Sequence, residues 1–303
     1  MKKIDKTILY GVLIISLGIY FVHFLNLNIN FAQSNKVVGN LIDSKTEEIP
    51  KEISLLGRAE ISFLGSTESR IENINLAISK INNKVVANGE EFSFNKTLGE
   101  VSSSLGYKEA KSFLNGEVVL GIGGGICHVS SVLFESLLDA GLPISERYNH
   151  TFSVPFYKTG LDATVSSLGP DLKFINDTGY DIRISGKVVE DKAIFEIYGV
   201  SDGRIASISE PVIVNKTNAP LTQYIETNDI SLDGVCKNTP QIGYTAKVNY
   251  KVIYPNNDTV EKIFNSVYKP LKKSCYIYTD PITGCNSQTI YSPKTGIKCD
   301  LIP

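Results

Sequence analysis

The chain of 303 residues has no tryptophan, one methionine and only three histidines. Its basic and acidic residues nearly balance, and the formal net charge of -2 gives no reason to expect a nucleic-acid partner. No two cysteines have C-x-x-C spacing and no histidine follows His150, so the ligand spacing of a zinc site is lacking. We therefore expect neither a bound metal nor a cofactor.

One long hydrophobic run lies at the N-terminus. Three lysines fall within residues 1–7, and residues 8–25 are almost wholly apolar, which is about the length that crosses a bilayer. Lysines before such a span favour a cytoplasmic N-terminus. We expect a cytoplasmic tail over 1–7, a transmembrane signal-anchor over 8–25 and a linker over 26–57, with the rest of this single-pass membrane protein on the extracytoplasmic, cell-wall side. A buried core helix is the alternative for the apolar run.

The remainder of the chain predicts an α+β fold. Helical periodicity alternates with short β-like runs in the first part, and the helical signal vanishes beyond it. Residues 246–254 alternate like a half-buried strand, and we expect 261–268 to pair with them across a turn. The predicted organisation is a larger α+β domain over 58–205 and a small all-β module over 206–303.

Four of the five cysteines, Cys236, Cys275, Cys285 and Cys299, lie in the C-terminal quarter. An even cluster outside the membrane suggests disulfides. Three pairings are possible, and we favour Cys236 with Cys275 and Cys285 with Cys299. Cys127 is then left as a lone thiol.

Cys127 follows a glycine run at the predicted start of a helix. A helix N-terminus stabilises a thiolate, and its free N–H groups can form an oxyanion hole. Glycines before it allow a sharp turn and a close substrate approach. The run lacks the G-K-[ST] ending of a phosphate-binding loop. The candidates for substrate or oxyanion contacts here are Gly124, Gly125, His128 and Ser130.

His150 is the candidate base, because His23 falls in the apolar run and the side chain of His128 diverges from its neighbour on the helix. A cysteine on a helix with a histidine on a later strand is typical of papain-like thiol enzymes. The alternative is a buried structural cysteine and an unrelated histidine.

Three charged residues accompany His150. Asp162 is the candidate orienting group for the imidazole, and Glu146 is its competitor. Arg147 is a candidate to bind a substrate carboxylate. Surface ion pairs are the alternative for each.

The chain resembles the VanW-domain family in a series of ordered blocks. The blocks are Ser69-Arg70 with Asn73-Ile74, Gly89–Lys96 with Gly99, Gly106–Ala110, Gly121–Cys127 with Val129–Ser131, Glu146-Arg147 with His150, Asp162–Val165 and Asp171–Phe174. One departure is plain, since the family usually has glutamine where His128 stands. The resemblance implies a VanW-type catalytic domain over 58–205 and a role in the cell envelope, with peptidoglycan stem peptides as partners.

Some members of that family act as L,D-transpeptidases, and the resemblance implies this activity here. Cys127 would form a thioester acyl-enzyme, His150 would transfer protons, and the product would be a 3-3 cross-link. Two alternatives stay open. One is a non-catalytic wall-binding or scaffold protein, and the other is a thiol peptidase or carboxypeptidase that acts on stem peptides.

Overall fold

The computed structural model describes residues 52–114, 117–291, 293–294 and 298–299. The predicted cytoplasmic tail, the predicted span over 8–25 and all but the end of the predicted linker lie outside these residues. In the described ranges, no helix is both long and apolar enough to cross a membrane. Glu52–Pro303 forms one compact unit.

Three α-helices occur in the described ranges: α1 (Glu68–Ile81), α2 (Phe94–Leu98) and α3 (Ile126–Asp139). The strands are β1 (Ile53–Ser62), β2 (Lys84–Val86), β3 (Glu91–Ser93), β4 (Glu109–Leu114), β5 (Glu117–Ile122), β6 (Ile144–Glu146), β7 (Lys173–Ile175), β8 (Ile182–Val189), β9 (Lys192–Val200), β10 (Ile205–Ile208), β11 (Val212–Thr217), β12 (Gln223–Thr227), β13 (Cys236–Lys237), β14 (Gly243–Ile253), β15 (Thr259–Tyr268) and β16 (Ser274–Tyr278). Short 3-10 helices cover Ser103–Leu105 and Ile230–Leu232.

The prediction of an α+β fold is wrong for the part of the chain that the structure describes, which is mostly β, and the predicted transmembrane helix falls on residues outside that part. Its helices have only 14, 5 and 14 residues, whereas strands run through the whole of it. The sequence sustains helical periodicity in two segments only, and most of the other apolar residues belong to short strands. These two helices are conspicuous in the sequence, and the prediction therefore overestimated the helical content of the fold.

The largest apolar core lies between an antiparallel sheet and two helices. The sheet has the order β1-β9-β8-β2. α3 packs against β1 and β9, and α1 packs against β8 and α3. Ile74, Ile78 and Ile81 of α1 are buried in this core, as are Leu133 and Leu137 of α3. α3 is buried along almost its whole length, which holds its first turn in a fixed position.

The remaining strands form four further sheets. β3, β7 and β6 form one sheet, β4 pairs with β5, and β12 and β13 flank β16. β14 pairs with β10, β11 and β15, so the predicted pairing of 246–254 with 261–268 is confirmed. Phe264 of β15 meets the ring of Phe134 on α3 at 5.3 Å between centroids. Side chains from both sides of the predicted boundary at 205 thus share one core, and that boundary stays a prediction.

Two disulfides join Cys236 to Cys275 and Cys285 to Cys299. The favoured pairing is therefore confirmed. Cys127 is free.

Candidate active site

The glycine run shapes the start of α3. Gly125 is the N-cap residue, with φ at 117°, a backbone conformation that other residues rarely adopt. Gly124 packs against backbone, because an added Cβ would lie 2.7 Å from the carbonyl oxygen of Ala110. The run therefore requires glycine at both positions, and it places Cys127 in the first turn of the helix. Ile126 and His128 donate their amides to Gly123 and Gly125, so the Cys127 amide between them is the candidate oxyanion donor.

The sulfur of Cys127 lies against the irregular segment that follows Asp162. It is 3.7 Å from the Thr164 hydroxyl and accepts a weak hydrogen bond from the Val165 amide at 3.5 Å. Burial alone would raise the pKa of this thiol. Hydrogen bonding and charge from His150, together with the contacts to Val165 and Thr164, outweigh burial and lower the pKa. The site therefore favours the thiolate form, which is the nucleophilic form of cysteine.

His150 is held by a buried carboxylate. Its Nδ1 and its backbone N–H each donate to Oδ2 of Asp162 at 2.6 Å. Burial would lower the pKa of His150, but the hydrogen bonds and charges of Asp162 and Cys127 raise it to about 9. The imidazole is thus protonated at neutral pH, and its charge favours the thiolate form of Cys127, as in a thiolate–imidazolium pair.

Asp162 is itself fixed on its other oxygen. Arg147 donates to Oδ1 at 3.1 Å, and the Tyr268 hydroxyl donates to the same atom at 2.5 Å. Burial would raise the pKa of Asp162, but His150 and Arg147 lower it, so the carboxylate is ionised. Tyr268 lies on β15, 106 residues after Asp162 in the chain. The sequence contained no local signal for its role.

Two charged residues near His150 lie away from the reacting atoms. The side chain of Arg147 is only 4% exposed, and its guanidinium donates to Asp162, Ser266 and Gly160. None of the N–H donors of this guanidinium is directed to the pocket. Arg147 therefore positions Asp162 and does not contact the substrate. Glu146 pairs with Lys173 at 2.7 Å, which leaves Asp162 as the partner of His150.

His128 is fully buried on the wall of the site. Its Nε2 is 3.2 Å from the carbonyl oxygen of Ile61, and that oxygen can only accept, so Nε2 carries the hydrogen. Burial lowers the pKa of His128 to about 4, and nearby Arg70 acts in the same direction. The ring is neutral at pH 7 and its Nδ1 is a bare acceptor without a partner among the described residues. An acceptor cannot stabilise an oxyanion.

Ser130 also has a structural place. Its hydroxyl is buried and donates to the carbonyl oxygens of Ala163 at 2.7 Å and Cys127 at 3.2 Å. Ser131 donates to the same two oxygens. These bonds fasten α3 to the segment that carries Thr164 and Asp162.

Tyr157 completes the immediate surroundings and was not predicted. Its ring stacks on His150 with 5.3 Å between centroids and lies 5.9 Å from the ring of His128. It covers the imidazole and limits its rotation. No periodicity or motif in the sequence marked it.

These groups open onto a pocket of about 990 Å³. Cys127, His150, Tyr157 and Thr164 line it, together with Gly125 and Arg70. It is large enough for a peptide, and one wall presents the Cys127 sulfur, the His150 imidazolium as a proton donor and the backbone amide of Cys127. Such an arrangement is suited to acyl transfer through a thioester. No cluster of metal-ligating side chains occurs in the described part of the chain.

Part of the chain, including this site, is similar to known proteins. Residues 69–198 match the family model described as VanW like protein. The chain is 44% identical over 143 residues to "Uncharacterized protein YoaR" of Bacillus subtilis (strain 168), a match that covers 47% of each chain. It is 31% identical over 157 residues to "Vancomycin B-type resistance protein VanW" of Enterococcus faecalis (strain ATCC 700802 / V583), covering 47% of this chain and 57% of that protein.

The chain thus spans about half the length of the curated relatives that it matches. No solved structure matches it. The resemblance to the VanW-domain family is confirmed over this part of the chain.

Proposed function

We propose that this chain, whose residues 69–198 match the model described as VanW like protein, acts on the cell wall as a cysteine-dependent peptidoglycan L,D-transpeptidase. The observation that carries the proposal is the Cys127–His150–Asp162 arrangement on the wall of a peptide-sized pocket. The printed name of the enterococcal relative, a vancomycin resistance protein, supports a cell-wall context.

Acylation begins with the thiolate of Cys127. It attacks the carbonyl carbon of the third residue of a donor stem, and the carbonyl electrons move to oxygen, where the Cys127 amide can donate to the oxyanion. The bond to the terminal D-Ala nitrogen then breaks. His150, as imidazolium, gives its proton to that leaving amine. The products are free D-Ala and a thioester on Cys127.

Deacylation uses the same groups in reverse. An amine from the side chain of a second stem attacks the thioester carbon, and the now neutral His150 accepts its proton. The carbon–sulfur bond breaks, the thiolate is regenerated and a 3-3 cross-link is formed. Water in place of the amine gives carboxypeptidase activity instead.

The proposed compartment is the extracytoplasmic face of the cell membrane. Two disulfides support it, since such bonds persist in oxidising compartments and are rare in the cytosol. The predicted signal-anchor over 8–25 is the proposed membrane attachment.

The test incubates the purified full-length chain with disaccharide tetrapeptide and follows products and intact protein by mass spectrometry. We expect cross-linked dimer, free D-Ala and an acyl adduct on Cys127, all lost in Cys127→Ala. Ser207→Ala is the matched control, because this exposed serine on β10 lies away from the pocket.

The other outcomes separate the alternatives. Release of D-Ala without dimer would identify a carboxypeptidase. Tight tetrapeptide binding that survives Cys127→Ala, without an adduct in the wild type, would identify a non-catalytic wall-binding protein and overturn the proposal.

A further inference from the structure

The pocket carries more positive than negative charge. Apart from Cys127 and His150, the ionic side chains on its lining are Arg70, Lys96, Lys111 and Glu100. The two lysines and Glu100 are exposed, whereas Arg70 is partly buried. An excess of cations around a nucleophile suits a substrate with a carboxylate.

Arg70 lies next to the reacting groups. It is in the first turn of α1, and its side chain and carbonyl oxygen would be 3.2 Å from a Cβ added to Gly125, the N-cap residue of the Cys127 helix. Arg70 also interacts with Tyr157. Burial and the charge of Cys127 raise the pKa of Tyr157, whereas the charge of Arg70 and a hydrogen bond from its side chain lower it. Tyr157 in turn stacks on His150. Arg70, Cys127 and His150 therefore line the same pocket, and Tyr157 interacts with both Arg70 and His150.

Arg70 differs from the other arginines that the structure describes. Arg58, Arg147 and Arg204 each form an ion pair with an acidic side chain. Arg183 lies over the ring of Tyr198, outside the pocket. No carboxylate of the described residues lies within ion-pair distance of Arg70, so the N–H donors that its guanidinium does not use on Tyr157 are available to another anion.

We infer that Arg70 binds the α-carboxylate of the terminal residue of the donor stem and so selects stems with a free C-terminus. In an L,D-transpeptidase this residue is the leaving group, and its carboxylate lies one residue beyond the bond that Cys127 attacks. The inference rests on the proposed function for the identity of the substrate. It assigns a role that the exposed Lys96 and Lys111 do not share, because a flexible ammonium at the rim offers no planar pair of donors.

The experiment compares disaccharide tetrapeptide with its C-terminal amide on the full-length chain. Arg70→Gln should raise KM for the free acid about 10- to 100-fold, as expected for a lost charge-assisted hydrogen bond, and leave kcat nearly unchanged. The wild type should prefer the acid over the amide by a similar factor, and Arg70→Gln should show no preference. Arg183→Gln and Lys96→Gln are the matched controls, and both should keep the preference.

Binding of the two peptides to Cys127→Ala and to Cys127→Ala/Arg70→Gln, measured by calorimetry, separates the two proposals. A preference for the acid that depends on Arg70, in a protein whose wild type turns over neither peptide, would uphold the carboxylate site and overturn the transpeptidase. Equal loss of acid and amide binding in Arg70→Gln, or loss of neither, would overturn the carboxylate site whatever the wild-type activity.

Discussion

His128 and His150 both lie beside Cys127, and their surroundings drive them to opposite protonation states. His150 donates to the buried carboxylate of Asp162 and faces a thiolate, and its pKa is raised to about 9. His128 is buried against a backbone carbonyl with no anion to pair with, and its pKa is lowered to about 4. His150 is therefore a cation at neutral pH, whereas His128 is an uncharged residue on the wall of the pocket.

A histidine next to the nucleophile in the sequence is therefore not necessarily the catalytic base. Both imidazoles lose hydration on burial, which disfavours the cation in each case. Only His150 has a carboxylate and a thiolate as partners, and these stabilise its cation by more than burial destabilises it. The partner therefore decides which histidine can donate a proton.

The largest expected effect comes from exchanging each histidine for glutamine. His150→Gln should lower the rate of dimer formation from tetrapeptide about 10²- to 10⁴-fold, because the proton donor is lost. His128→Gln introduces the residue that the VanW-domain family usually has there, and it should retain a rate close to that of the wild type. Equal losses in the two variants would contradict the distinction between them.

Acid should destabilise the fold through His128. Its pKa is below the value of about 6.5 expected in the unfolded chain, so the unfolded state binds more protons between about pH 6.5 and 4, and stability falls as the pH falls through that range. The loss is on the order of 3 kcal/mol. Denaturant unfolding of wild type and His128→Gln at pH 7 and pH 4 should show a smaller acid loss in the variant; parallel losses would refute it.

His150 should act on stability in the opposite range. Its pKa in the folded protein is raised above the unfolded value, so its contribution is complete below about pH 6.5 and is lost as the pH rises through about 9. His150→Gln should therefore flatten the alkaline limb of the same unfolding series and leave the acid limb unchanged.

Asp162→Asn tests the cause of the raised pKa of His150. Loss of an adjacent charge lowers the pKa of an imidazolium by about 1–3 units, which weakens the thiolate in turn. We expect the rate of iodoacetamide alkylation of Cys127 at pH 6.5 to fall about tenfold or more. Thermal unfolding must be recorded in parallel, because Asp162 also pairs with buried Arg147. An unchanged alkylation rate in a folded variant would show that Asp162 does not control the protonation states of Cys127 and His150.

The smallest expected effect is at Tyr268, a positioning residue outside residues 69–198. Its hydroxyl donates to Asp162 and accepts from the Gly160 amide at 3.0 Å. Tyr268→Phe removes about 1 kcal/mol of hydrogen bonding, so we expect roughly a fivefold loss of turnover and a slightly lower pKa of His150. Tyr250→Phe is the matched control, a buried tyrosine whose hydroxyl has only a 3.5 Å contact with Leu142. Equal losses of turnover in both variants would mean that any change in the core lowers the rate, and that the hydrogen bond to Asp162 has no specific role.

The sequence could predict what local patterns encode. A glycine run and a helical stripe predict a helix that begins at Cys127, and the structure begins α3 at Ile126. Elimination of the other two histidines left His150. The disulfide pairing followed from a cysteine cluster and was confirmed.

The rest depends on contacts between distant segments. His150 was expected on a strand, yet it lies in irregular chain that pairs with the Asp162 segment through a single bridge between Tyr148 and Thr164. No local pattern indicates that Tyr268 reaches Asp162, because tertiary packing alone brings β15 to the site. The same packing turns Arg147 inward, which its position beside Glu146 could not reveal.

Nuclear magnetic resonance of the full-length chain with ¹⁵N-labelled histidine shows whether Cys127 and His150 form a thiolate–imidazolium pair. The chain has three histidines, and His128→Gln and His150→Gln assign two of the signals. We expect His150 to remain doubly protonated at pH 7 and to titrate at about pH 9, and we expect Cys127→Ala to lower this value. A neutral His150 at pH 7 that titrates near pH 6.5 and ignores Cys127→Ala would contradict it.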